Sequence, residues 1–143
     1  MPKKLSSLLW GSFVAYCVVM CYLLFARSAF NIGKPYLEQL KMNINFIPFK
    51  TIGEYMNVLI YRRNVHLINN ALINLLGNIA AFIPLGFFLP CFWKRLRSFK
   101  KMLFCSGVVV LIIELIQLLT LRGSCDIDDL ILNLFGIFGG AAI

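Results

Sequence analysis

The residue most open to chemistry in this sequence is a carboxyl group inside an apolar run. Glu114 stands within residues 102–121, with Gln117 three positions on and on the same helical face. Arg122 follows eight residues after Glu114, about 12 Å along a helix axis. A charge at the middle of a membrane helix costs about 2.5–3.5 kcal/mol on insertion scales. Such a carboxyl is therefore expected to face a protein interior or a wet cavity. Two other segments supply polar stripes of helical period. Asn70, Asn74 and Asn78 recur at i, i+4 and i+8, and Asp129, Asn133, Gly136 and Gly140 at i, i+4, i+7 and i+11, with Asp126 extending that face. The expected ligand-binding set is Asn74, Asn78, Glu114, Gln117, Arg122, Asp126, Asp129 and Asn133. Within it Glu114 has the chemistry of a general acid or base, Asp126 and Asp129 that of oxygen ligands, and Arg122 that of a phosphate partner. These four are the catalytic candidates.

Simpler roles stand beside each of these. Buried asparagines commonly hydrogen-bond across helices, for about 0.6 kcal/mol. Asp126 has the position of an N-cap, with Asp128 and Asp129 favoured in the first helical turn. Arg122 could neutralise one of these aspartates. Five cysteines show no CxxC spacing and His66 stands alone, so no metal site is expected, and the sequence specifies no cofactor. Cys125 in the polar turn has no recognisable base beside it, and His66 reads as an interfacial residue.

The elements that position these groups follow from composition. Of 143 residues, 60% are hydrophobic and 14% charged, against about 25% charged in an ordinary soluble domain. So small a chain could not bury this much apolar surface in water, whereas lipid can solvate it. The expected fold is all-α: one membrane domain over residues 1–143, with about four spans at 8–26, 71–93, 102–121 and 127–143. The first span reads as a retained helix rather than a signal peptide, although residues 26–29 faintly resemble a cleavage site. Pro84 should bend the second span. The last is short, so either the chain stops near the inner surface or this is a shortened form.

Between the first two spans the chain is too polar to cross a membrane. Thr51-Ile-Gly-Glu54 has the form of a capping box, and Ile52, Tyr55, Met56, Leu59 and Ile60 then recur on one face. A short amphipathic helix over 51–62 is expected at the outer interface. The net charge of +8 sits between apolar runs, and no nucleic-acid motif accompanies it, so the charge reads as a topology signal. Lys94, Arg95, Arg97, Lys100 and Lys101 place the 94–101 loop inside, together with the amino terminus. Gly136 and Gly140 form a GxxxG match that suits internal packing or a homodimer contact.

Read in order, Asn45-Phe-Ile-Pro48-Phe, Asn74-Leu-Leu-Gly-Asn78, Pro84-Leu-Gly86, Glu114-Leu-Ile-Gln117, Arg122, Asp126-Ile-Asp-Asp129, Asn133 and Gly136 resemble the VanZ-like family over about residues 43–140. The resemblance implies a small polytopic protein of the bacterial cell membrane, associated with glycopeptide (teicoplanin) resistance, with no settled reaction. The leading functional reading is non-enzymatic: an outward-facing polar intramembrane site that binds a lipid-linked or cell-wall component, with membrane lipids as partners. The alternative is a membrane-embedded enzyme modifying a lipid headgroup or cell-wall precursor, with Glu114 and Asp129 as acid–base groups or metal ligands. A proton- or ion-coupled carrier is a third reading, without an internal repeat to support it.

Overall fold

The computed structural model describes residues 3–26 and 33–143; most of the 26–29 segment lies outside them. Helix α1 spans Lys3–Phe25, α2 Tyr36–Met42, α3 Lys50–Tyr61, α4 Val65–Phe92, α5 Phe99–Leu119 and α6 Ile127–Ala141. A single 3₁₀ turn, Lys94–Arg97, joins α4 to α5, and two-residue strands β1 (Ile44–Asn45) and β2 (Cys125–Asp126) pair in parallel.

Three helices, α1, α4 and α5, are long and apolar enough to cross a membrane. Their outer faces carry large exposed hydrophobics such as Leu8, Val18 and Phe104, which water would not tolerate as a contiguous surface. The fourth expected span, α6, has 15 residues, about 22 Å at 1.5 Å per residue. It is shorter than the other three and is held mainly by α4.

Several boundaries differ from the sequence reading, each for a local reason. Helix α4 begins at Val65 rather than near residue 71, because Asn64 Oδ1 accepts from the His66 and Leu67 amides at 2.9 and 3.4 Å. It passes through Pro84 and Pro90 without interruption, and the Tyr16 hydroxyl donates to the Ala81 carbonyl at 2.9 Å in the turn preceding Pro84. Helix α3 matches the expected amphipathic segment, but the capping box does not form. Its N-cap is Phe49, in the left-handed region at φ 63°, and no cap bond comes from its own side chain. The Thr51 hydroxyl turns away to Asp126. Helix α2 and the strand pair had no signal in the sequence reading.

Packing is tightest between α4 and α6. A Cβ at Gly136 would overlap the Ile79 carbonyl, and one at Gly140 the Ile83 carbonyl, so only hydrogen at these positions lets the two backbones touch. The glycine face is thus occupied within the chain, which is the internal-packing reading of the GxxxG motif. Phe82, Met102, Val110 and Ile137 join Met20 in the buried core. At one end of the bundle Trp10 stacks on Phe92 with centroids 4.1 Å apart, which sets the amino end of α1 beside the carboxyl end of α4. That end holds Lys3, Lys4, Lys94, Arg95, Arg97, Lys100 and Lys101 with no acidic residue near them in sequence. The carboxylates Glu38, Glu54, Asp126, Asp128 and Asp129 belong to the segments at the other end.

Candidate functional site

A cavity of about 300 Å³ opens between α1, α4, α5 and α6, in the half of the bundle away from the basic loop. Its polar lining comes from Asn74 and Asn78 of α4, Glu114 and Gln117 of α5, Asp129 and Asn133 of α6, and Arg122 and Ser124 of the intervening turn. Met20, Leu23 and Leu24 of α1 supply an apolar wall. Seven of the eight residues singled out from their spacing thus line one space; Asp126 does not.

The geometry follows from helical register. Glu114 is 3% exposed, and its two carboxyl oxygens receive long contacts, from the Asp126 amide at 3.4 Å and from Asn133 Nδ2 at 3.5 Å. Asn78 Nδ2 donates to Asp129 Oδ1 at 2.5 Å, tying α4 to α6. Gln117 Nε2 reaches the Leu24 carbonyl at 2.9 Å, which fastens the end of α1 over the cavity. Asn74 Nδ2 donates to its own helix, at the Asn70 carbonyl, 2.7 Å away. The Asn133 carbonyl oxygen is buried with no partner among the described residues. Arg122 is exposed at the cavity mouth. The only ion pair among the described residues joins Lys34 to Glu38 of α2.

Asp126 lies outside the cavity lining. Its side chain is the N-cap of α6, accepting from the Asp128 amide at 2.9 Å. The same carboxylate receives Asn45 Nδ2 at 3.1 Å and the Thr51 hydroxyl at 2.5 Å. Its oxygens are engaged there, and among the described residues no group of three or more His, Cys, Asp or Glu is placed to hold a metal ion.

Asp128, which the sequence reading placed only as a first-turn charge, caps another helix. Fully buried, it accepts the Phe49 amide at 2.6 Å and the Ile52 amide at 3.0 Å. Those are amides at the start of α3 that lack partners within the helix. Asn45 completes this roof: it reaches Thr51 Oγ1 at 3.0 Å, and its Oδ1 accepts the Ile47 amide at 3.3 Å. The β1–β2 pairing and the Tyr36 hydroxyl, which donates to the Leu119 carbonyl at 2.7 Å, pin the rest of the segment across the turn that precedes α6.

Cys125 is buried in β2. Its thiol pKa is raised, first by burial and then by the nearby Glu114 and Asp126 carboxyls, which disfavours the thiolate a nucleophile needs. His66 is exposed in the first turn of α4, away from the cavity lining. The contributions of α1 and Ser124 were missed from sequence, since a uniformly apolar helix gives no sign of which face it turns to a neighbour.

The model of one protein family, VanZ/LLP1, matches residues 13–143. Comparison with curated proteins and with solved structures gave no match.

Proposed function

The chain belongs to the VanZ/LLP1 family, and from that membership together with its cavity we propose that it is a multi-pass bacterial cell-membrane protein that binds a lipid-linked or cell-wall component. The cavity opens on the outer side, and the function is associated with glycopeptide (teicoplanin) resistance. The observation that carries this reading is the cavity itself. Carboxyl and amide groups from three helices, with Arg122 and Ser124 of the turn before α6, converge beside an apolar wall from a fourth helix, the lining expected of a site for an amphiphile. The charge of the two ends supports the orientation, since the basic 94–101 loop favours the cytoplasmic side. Helix α6 is the fourth span on this reading, and α3 lies at the outer interface. Membrane lipids surround the exposed apolar faces.

A membrane-embedded enzyme is the second reading. It is favoured by the placement of two carboxyls, Glu114 and Asp129, in one cavity; Glu114 is the better acid–base group because no short hydrogen bond occupies it.

The test is teicoplanin susceptibility of a Gram-positive host expressing the chain, compared with Glu114→Gln and Arg122→Ala at equal membrane levels. Protection by the native chain and its loss in both variants is expected. Equal protection by all three would separate the cavity from the phenotype and sink the proposal.

A further inference from the structure

The four amide side chains lining the cavity are all turned the same way. Asn74 and Gln117 give their nitrogens to backbone carbonyls, and Asn78 and Asn133 give theirs to carboxylates. Each partner is an acceptor, so chemistry fixes which end of each amide is the nitrogen. Each amide nitrogen thus gives one of its two N–H groups to a partner and turns its oxygen the other way. No donor among the described residues meets the Asn133 oxygen, which is shut away from solvent. Among the described residues Glu114 holds two long contacts and Asp129 one short one. The charged and hydroxyl donors of the lining, Arg122 and Ser124, sit in the turn before α6. The Asn133 oxygen thus stands unmet beside two carboxyls, and a buried acceptor left unmade costs about 1–3 kcal/mol.

We infer that the cavity takes the primary ammonium end of a zwitterionic headgroup, with its N–H groups directed to Glu114, Asp129 and the Asn133 oxygen and its anionic group at Arg122. The inference rests on reading this cavity as the ligand site and names the chemistry that enters it. An ammonium supplies both a donor for the Asn133 oxygen and a positive charge beside the two carboxyls. A bare divalent ion fits less well. It needs six or more oxygens drawn in to about 2.0–2.6 Å, whereas this space of about 300 Å³ is walled on one side by Met20, Leu23 and Leu24. A quaternary ammonium has the charge but no N–H to give.

The experiment uses the full chain, purified in detergent and examined by native mass spectrometry with three added lipids. Phosphatidylethanolamine and phosphatidylcholine share a phosphate and a positive nitrogen and differ in whether that nitrogen has N–H donors; phosphatidylglycerol has no amine. Preferential retention of phosphatidylethanolamine over phosphatidylcholine, by about tenfold or more, and loss of that preference in Glu114→Gln would bear the inference out. Equal retention of the two would overturn it, as would preference for phosphatidylglycerol, which would mean that Arg122 dominates recognition. Displacement of phosphatidylethanolamine by calcium or magnesium would make the site a metal site and overturn it too. In each of those outcomes the cavity still binds a ligand, so the broader proposal survives. Retention of none of the lipids also overturns the ammonium inference, and the susceptibility assay then judges the broader proposal independently.

Discussion

Replacing Asp128 by alanine tests whether α6 holds the start of α3. The carboxylate is fully buried and accepts two amides, from Phe49 at 2.6 Å and from Ile52 at 3.0 Å. Hydrogen bonds to a charged group contribute about 1.5–3 kcal/mol each, but Phe49 is 65% exposed, so water replaces part of what is lost. Capping residues measured by truncation cost about 0.5–2 kcal/mol, and the upper end is the reasonable figure here. A local loss of about 2 kcal/mol raises the open population of this turn roughly thirtyfold. Hydrogen–deuterium exchange of the purified protein, read on the peptide covering residues 46–56, should show that acceleration while peptides from α5 stay unchanged. Asp128→Asn should fall between, since its amide keeps one acceptor and turns an NH₂ toward the second donor. Phe49 sharpens the test. At φ 63° it holds a conformation disfavoured for a bulky residue, so the turn should relax readily once its anchor is removed. Unchanged exchange in the alanine variant would refute the idea that this carboxylate holds the roof in place.

Two further outcomes follow from packing. Gly136→Ala should destabilise the protein by about 1–3 kcal/mol, because its Cβ would run into the Ile79 carbonyl, whereas Gly139→Ala meets nothing within 4 Å and should be neutral; thermal melting in detergent distinguishes them, and equal melting points would refute the close α4–α6 contact. Cys125, buried and with its thiol pKa raised, should react with a soluble maleimide at neutral pH at least about tenfold more slowly in the folded protein than after unfolding in detergent. Labelling at equal rates would show the β2 turn to be open.

The convergence of the polar stripes was legible because it rests on two strong regularities. Apolar runs of helical length announce spans, and within them polar residues at i, i+4 share a face whatever else the chain does. Asn78, Glu114 and Asn133 needed nothing more. The roof was not legible, since its contacts join residues some 75–81 positions apart. Thr51 and Glu54 have the spacing of a local cap, and nothing nearby in sequence says that a distant aspartate will take that role while Thr51 turns to Asp126. The early end of α4 was lost for a different reason: hydropathy measures where lipid begins, whereas Asn64 sets where the helix begins.

The three aspartates of Asp126-Ile-Asp-Asp129 divide between these two tasks, and helix geometry explains how. Asp126 stands before the helix in extended backbone, φ −123° and ψ 125°, so its side chain folds back over the first turn and meets Asn45 and Thr51. Asp128 and Asp129 are consecutive helical residues and diverge by about 100° around the axis. One therefore faces the start of α3 and the other faces α4 and the cavity. Two adjacent acidic positions in one helical turn aim one carboxyl at the cavity and anchor the roof with the other. Asp129 and Asp128 thus have separable roles. Loss of the first should alter what the cavity binds with the roof in place, and loss of the second should loosen the roof while leaving the interior acceptors where they are.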